Sequence, residues 1–77
     1  MEINDFVKNF ADQFDDTDPN EISAEVAFRD LEEWSSMIAL SVLNMVDKTY
    51  GVILTFDDLK QAITIQNLFD IIAKKQK

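Results

Sequence analysis

The chain has 77 residues, 47% of them hydrophobic, and its fifteen acidic and seven basic residues give a formal net charge of −8. A chain of this length forms one small domain with a thin core, which excludes a large enclosed substrate cleft, and it is too apolar for a disordered tail. The absence of Cys and His excludes disulfides, thiol catalysis, thiolate zinc sites and the usual general base.

The negative charge is uneven along the chain. Residues 1–47 hold twelve acidic and two basic residues, whereas residues 48–77 hold three acidic and five basic ones. A negative field repels nucleic acids and favours partners with basic surfaces, so we expect no nucleic-acid partner. No apolar run approaches the roughly 20 residues of a membrane span, and the first residues do not resemble a signal peptide. We therefore expect no membrane span and a cytoplasmic location.

The first fifteen residues show a helical pattern. Apolar side chains recur at steps of three and four, which places them on one face of a helix; they are Ile3, Phe6, Val7, Phe10, Ala11 and Phe14. This spacing predicts helix I from about Asn4 to Asp15, with Asn4 as its N-cap.

The periodicity disappears between Asp15 and Asp30, where only Ile22, Val26 and Phe28 are isolated large apolar residues. We expect a long loop that these three residues pin to the core. Loops of about 15 residues are uncommon in compact domains and often functional.

Part of this loop alternates like a calcium-binding loop, at Asp16, Asp18 and Asn20. Glu21 stands where such a loop needs Gly, however, and Ala27 stands where it needs a bidentate Glu. We therefore predict no metal site.

A second helical pattern begins at two serines. Its apolar stripe consists of Met37, Leu40, Leu43, Val46 and Tyr50, and Gly51 follows as a C-terminal stop. We predict helix II from Ser36 to about Tyr50, with Leu40, Leu43 and Val46 buried.

Two further helices are predicted from their caps. Thr55 with Asp58 three positions later resembles a capping box and opens a brief helix III. Thr64 caps helix IV, and Lys74, Lys75 and Lys77 follow at the negative end of its dipole. One face of helix IV is formed by Ile65, Leu68, Phe69 and Ile72. The predicted fold class is therefore all-α.

The order of these elements, with its landmarks, resembles the acyl carrier protein family. Phe28 and Leu31 match a Phe and Leu pair in that family's loop. The segment Trp34-Ser35-Ser36-Met37 matches its Asp-Ser-Leu motif, which Trp often precedes. Tyr50 matches the aromatic residue that follows the modified Ser by fourteen positions, and Thr64-Ile65 matches the start of the last helix.

The resemblance covers essentially the whole chain. It implies a four-helix acyl-carrier-protein-like bundle of the stand-alone bacterial type, with three longer helices, a short helix III and a long loop between helices I and II. It also implies a carrier of acyl intermediates in fatty acid or related lipid or polyketide biosynthesis. Such a carrier is not itself an enzyme, and we expect a monomer.

The implied cofactor is 4'-phosphopantetheine, taken from coenzyme A. Aligning Tyr50 with the family's aromatic residue places Ser36 on the modified position, with Ser35 as the alternative. Independently of the resemblance, a hydroxyl at a helix N-terminus lies where backbone N–H groups and the helix dipole favour a phosphodiester. The implied partners are a phosphopantetheinyl transferase and acyl-transferring and synthase enzymes with basic or apolar docking surfaces.

The chain also departs from the family. Ser35 replaces the usual Asp, and Asp47 is the only acid in helix II, which is usually rich in acids. We therefore expect more apolar docking, through Met37 and Ile38, which we place towards the exposed side. Glu32 and Glu33 either attract partners or belong to a solvated loop, with equal weight. We expect Trp34 to anchor the loop against the bundle.

The Asp-to-Ser change supports a second interpretation from another functional class. In it, the chain is an unmodified carrier-like interaction module that binds a partner through Met37, Ile38 and neighbouring acids. An enzyme has the least support, since the sequence offers no nucleophile with a base, no metal cluster and no Gly-rich phosphate loop.

Overall fold

The computed structural model describes residues 2–76. It contains four α-helices: α1 Ile3–Ala11, α2 Ser36–Tyr50, α3 Phe56–Gln61 and α4 Ile65–Lys75. The predicted all-α class is confirmed, because the described residues form no strand and pair in β fashion only at an isolated bridge between Ala27 and Thr64. Lys77, which the sequence places after helix IV, lies outside the described range. None of the helices in residues 2–76 is long and apolar enough to cross a membrane.

Helix α1 differs from its predicted bounds at both ends. Its N-cap is Glu2, which makes no side-chain cap bond, so the prediction of Asn4 as the cap is wrong. At the other end, Asp12 is the C-cap, and the next backbone bonds, including that from the Phe14 N–H to the Ala11 carbonyl, span three residues. This tighter turn ends the helix well before Asp15 while keeping Phe14 buried.

Residues 12–35 connect α1 to α2 and contain two short 3₁₀ turns, Pro19–Glu21 and Phe28–Asp30. Ile22 and Phe28 are buried in the core, and Val26 is partly buried against it. The three predicted anchors therefore hold the connection to the bundle.

Backbone hydrogen bonds also tie this connection to α4. The Ile65 N–H donates to the Val26 carbonyl at 3.2 Å, and the Gln66 N–H donates to the Ala24 carbonyl at 2.9 Å. The first N–H groups of a helix have no partner within it. The connection therefore supplies the acceptors that the start of α4 lacks.

Helix α2 has the predicted bounds but a different buried face. Ala39, Val42 and Val46 are buried, whereas Leu40 is 51% exposed and Leu43 only partly buried, so the predicted burial of Leu40 is wrong. Apolar residues lie around most of this helix, so their spacing does not single out one face. The residues that α2 contributes to the core are small ones.

The aromatic side chains form the centre of that core. Phe10 is fully buried and has aromatic neighbours on several sides, with ring centroids 5.6–6.2 Å away. These neighbours are Phe6, Phe14, Phe28 and Trp34. A 3.0 Å hydrogen bond from Asn9 Nδ2 to Tyr50 Oη joins α1 to the end of α2.

Helices α3 and α4 begin at the predicted caps. Thr55 and Asp58 form a reciprocal capping box, and Thr64 forms a second one with Asn67. Asp58 also forms an ion pair with Lys75, whose Nζ lies 2.8 Å from the carboxylate and thereby joins α4 to α3.

Candidate functional site

The two serines at the start of α2 occupy different positions in the helix. Ser35 is the N-cap, with extended backbone angles, and its Oγ accepts a hydrogen bond from the Ile38 N–H at 3.2 Å. This bond satisfies one of the N–H groups that have no partner at a helix start. The Ser35 hydroxyl is therefore part of the helix structure.

Ser36 is the first residue of α2, and its side chain is exposed. No hydrogen bond of the Ser36 hydroxyl is recorded within the described part of the chain. The hydrogen bonds of the structure therefore distinguish these two serines, which the sequence could distinguish only by alignment. The structure gives the capping bond to Ser35 and leaves the Ser36 hydroxyl facing solvent.

Trp34 fixes the segment that leads into α2. Its ring stacks on Phe10 at 6.2 Å with an interplanar angle of 3°, and it lies edge-on to Phe28 at 5.0 Å. Aromatic pairs at these separations add to the stability gained by burial. The predicted role of Trp34 as an anchor of the loop agrees with this packing.

The Glu33 carboxylate holds the segment on its other side. It accepts hydrogen bonds from the backbone N–H groups of Asp15, Asp16 and Thr17 at 2.7–3.0 Å, and from Thr17 Oγ1 at 2.7 Å. The bond from the Thr17 hydroxyl, together with those from the backbone, lowers the pKa of Glu33 although burial opposes the change. Glu33 thus has acceptor roles within the chain, and its role in partner binding stays a prediction.

Glu32 is exposed. It lies with Glu33 at a hollow of about 540 Å³, whose other lining residues are Asp16, Thr17, Glu21, Asp30 and Leu31. In residues 2–76 no group of three or more acidic side chains could hold a metal ion. The hollow is an acidic surface beside the candidate site.

A second cleft, of about 470 Å³, opens directly at the two serines. Its lining residues are Arg29, Trp34, Ser35, Ser36, Ala39, Phe56, Leu59 and Lys60. Sequence reasoning missed Arg29, Phe56 and Lys60. Phe56 and Lys60 are four residues apart and therefore share a helix face, but nothing in their spacing indicates that this face meets the start of α2.

The apolar residues predicted for docking have different environments. Met37 is 81% exposed, as predicted, but Ile38 is partly buried against the core, so its placement on the exposed side is wrong. Leu40, one turn beyond Ser36, is exposed in its place. The apolar surface near Ser36 is thus formed by Met37 and Leu40 on α2 and by the half-exposed Phe56 on α3.

Comparisons with protein-family models, with curated proteins and with solved structures gave no match to this chain. A functional assignment therefore depends on the chain's own residues. Those residues form an exposed hydroxyl at the start of a helix, a cleft beside it and an apolar surface around it.

Proposed function

We propose that this chain is an acyl carrier protein that carries acyl groups as thioesters on a 4'-phosphopantetheine arm attached to Ser36. The spacing of the landmarks from Phe28 to Ile65 suggests this function. The observation that carries it is the difference between the two serines, both of which are exposed. Ser35 Oγ accepts the Ile38 N–H, whereas Ser36, at the first position of α2, has no hydroxyl bond within residues 2–76.

The residues around Ser36 fit a phosphodiester. Attachment requires a hydroxyl that a transferase can reach, and the Ser36 side chain is exposed. The phosphodiester is an anion, which the N-terminal end of a 15-residue helix favours. Arg29 and Lys60 add two cationic side chains to the same cleft. When attached, the arm supplies the terminal thiol that this Cys-free chain lacks.

The attachment step needs no catalytic group from this chain other than the Ser36 hydroxyl. Ser36 Oγ forms a bond to the phosphorus of the coenzyme A phosphate that bears pantetheine. The bond from that phosphorus to the bridging oxygen breaks, and adenosine 3',5'-bisphosphate leaves. A base on the transferase accepts the hydroxyl proton. The task of this chain is to hold Ser36 in place, which Trp34 and Glu33 support by fixing the preceding segment.

The surface near Ser36 suits partners that combine apolar and charged contacts. Met37, Leu40 and Phe56 are exposed, and the net charge of −8 attracts basic surfaces over longer distances. Such partners are a phosphopantetheinyl transferase and the enzymes that load and use acyl groups. Fatty acid or related lipid or polyketide biosynthesis is the proposed setting.

The proposal is tested by the intact mass of the protein after incubation with coenzyme A and a broad-specificity phosphopantetheinyl transferase. We expect a gain of one phosphopantetheine in the wild type and in Ser35→Ala, and none in Ser36→Ala. Circular dichroism of each variant verifies that it is folded. A gain that is lost only in Ser35→Ala would move the site to Ser35.

The absence of any gain, both with this transferase and with an extract of the native host, would overturn the carrier proposal. It would favour the unmodified interaction module instead. The exposed side chains of Met37 and Leu40 support that alternative equally well, because an apolar surface serves a binding module with or without an arm. The result that would identify the interaction module is weaker binding of a partner by unmodified Met37→Ser than by the unmodified wild type.

A further inference from the structure

The apolar surface beside Ser36 contains a side chain that an oxidant can change. Met37 follows Ser36 directly on α2 and is 81% exposed, the highest exposure of any large hydrophobic side chain in residues 2–76. Its thioether sulfur is therefore open to solvent. After the thiol, the thioether is the side-chain group that mild oxidants attack, and this chain has no Cys. Within the described chain, Met37 is thus the sulfur that a peroxide reaches most easily.

The other methionine of α2 has a different environment. Met45 is partly buried and packs against the hydrophobic core, so a peroxide approaches its sulfur less easily. A sulfoxide at Met45 would place a polar oxygen next to apolar side chains, which costs free energy. Met37 makes no comparable contribution to the core, and its oxidation is expected to leave the bundle folded. The third methionine, Met1, lies outside the described range.

Oxidation of Met37 changes the character of the surface next to Ser36. Met37, Leu40 and Phe56 form the exposed apolar part of that surface. A methionine sulfoxide is polar, and its oxygen loses water when an apolar partner surface covers it without a hydrogen-bond donor. The Ser36 hydroxyl is not altered by this reaction. Oxidation therefore weakens the docking of a partner while it leaves the attachment site chemically intact.

We propose that Met37 is a reversible oxidation site that controls the docking of enzymes at Ser36. Hydrogen peroxide transfers one oxygen atom to Met37 Sδ: the sulfur supplies the electron pair of the new S–O bond, the O–O bond breaks, and the second oxygen leaves as water with both hydrogens. A methionine sulfoxide reductase reverses the step with a thiol as the reductant. The effect on docking rests on the proposed function, whereas the site of oxidation does not.

The experiment treats the full chain with dilute hydrogen peroxide, which catalase then removes. Peptide mapping by mass spectrometry gives the oxidised fraction of each methionine over time, and circular dichroism verifies that the treated protein is folded. The apparent kcat/KM of a broad-specificity phosphopantetheinyl transferase is then measured on treated and untreated protein. The variants are Met37→Leu, which removes the proposed sulfur, and Met45→Leu, the matched control that removes the partly buried one. Each variant is compared with its own untreated sample.

We expect peroxide to oxidise Met37 faster than Met45. Treated wild type and treated Met45→Leu should show a roughly three- to tenfold lower apparent kcat/KM, the size of effect that the loss of one or two buried methylene contacts gives. A methionine sulfoxide reductase with dithiothreitol should restore both values. Met37→Leu should keep its own untreated value, although it retains Met1 and Met45.

The results that would overturn this proposal differ from a failure of the carrier function. Oxidation of Met45 as fast as Met37 refutes the site. An unchanged kcat/KM in treated wild type, or an equal loss in treated Met37→Leu, refutes its effect on docking in a protein that the transferase demonstrably modifies. If untreated protein gains no phosphopantetheine, the carrier function fails and the control of docking at Ser36 fails with it, while the peptide map still decides the site of oxidation.

Discussion

The Oε1 atom of Glu33 lies 2.7 Å from Oγ1 of Thr17 and also accepts the backbone N–H groups of Thr17 and Asp16, while Oε2 accepts that of Asp15. These N–H groups would need carbonyl partners four residues back to continue α1. One carboxylate takes all three instead. Glu33, two residues before the N-cap Ser35, therefore ties the chain that follows α1 to the segment that leads into α2.

We predict that Glu33→Gln lowers the thermal stability at neutral pH. The pKa of Glu33 lies below its ordinary value of 4.5, first because of the Thr17 hydroxyl and then because of three backbone N–H groups, which together outweigh burial. A lowered pKa in the folded state means that ionised Glu33 stabilises the fold above pH 4.5. This contribution is lost as the pH falls through the lowered pKa.

Thermal melts over a series of pH values from neutral to acidic test this prediction. The difference in Tm between the wild type and Glu33→Gln is expected to shrink as the pH falls. Glu32→Gln is the matched control, since Glu32 is the exposed neighbour and accepts no recorded hydrogen bond in the described chain. Equal effects of the two substitutions at every pH contradict the prediction.

A second prediction concerns the contact of α3 with α4. Asp58→Ala removes both the acidic half of the Thr55 capping box and the ion pair with Lys75, and we expect a loss of about 1 kcal/mol. Lys75→Gln leaves the capping box intact but removes the pair, together with the 3.3 Å bond from Lys75 Nζ to the Ile53 carbonyl. A partly exposed pair contributes about 0.5 kcal/mol. Urea denaturation measures both, with Lys74→Gln as the unpaired control. A larger loss for Lys75→Gln than for Asp58→Ala contradicts this assignment.

The Asp58 pair also has a pH dependence. Burial raises the pKa of Asp58, but hydrogen bonds from Lys75 and Thr55 and the positive charge of Lys75 lower it overall, below the ordinary value of 3.8. Its stabilising effect is therefore present above pH 3.8 and lost as the pH falls through the lowered pKa. The free energy difference between wild type and Asp58→Ala should decrease over that range.

The two serines should have opposite effects on stability and on modification. Ser35→Ala loses the bond to the Ile38 N–H and is expected to cost about 1 kcal/mol, whereas Ser35→Gly costs only a few tenths. Ser36→Ala should leave the stability nearly unchanged, because its hydroxyl is exposed at the first helical position. Urea titrations of the three unmodified variants check this. A larger loss in Ser36→Ala would remove the structural reason for preferring Ser36.

Gly51 gives a prediction that depends on the backbone alone. Its φ of 68° is left-handed, and a Cβ added there meets nothing within 4 Å. Gly51→Ala should therefore cost about 1–2 kcal/mol without any steric clash. Gly51→Asn is expected to cost less, since Asn tolerates this conformation better. If both variants are as stable as the wild type, α2 does not need a left-handed residue at its end.

Local chemistry made much of the fold predictable from the sequence. The caps at Thr55 and Thr64 and the stop at Gly51 depend on neighbouring residues, and the structure contains each of them. The end of α1 was not predictable in this way, because the apolar spacing continues to Phe14 while the backbone bonds tighten after Asp12. The chain that follows is then held by Glu33, eighteen residues beyond Asp15. A contact from so far along the chain leaves no signature in a helical pattern.

The errors near the candidate site have a similar cause. The burial of Leu40 was predicted from spacing alone, but α2 has apolar residues around most of its surface and buries Ala39, Val42 and Val46 instead. The cleft brings together Arg29, Lys60 and the serines from three separate segments. Only the folded chain reveals that combination. The carrier function, in contrast, was inferred from motif spacing and stays a prediction.

The backbone bonds from Ile65 and Gln66 to the carbonyls of Val26 and Ala24 bear on the order in which the molecule assembles. Bringing such distant segments together costs loop-closure entropy before any contact repays it. A chain synthesised from its N-terminus thus contains Ser36 well before the helix that holds its loop. The loop at Ala24 and Val26 can therefore form these two bonds only after α4 has been synthesised, whereas Trp34 already has its stacking partner Phe10 in the first helix.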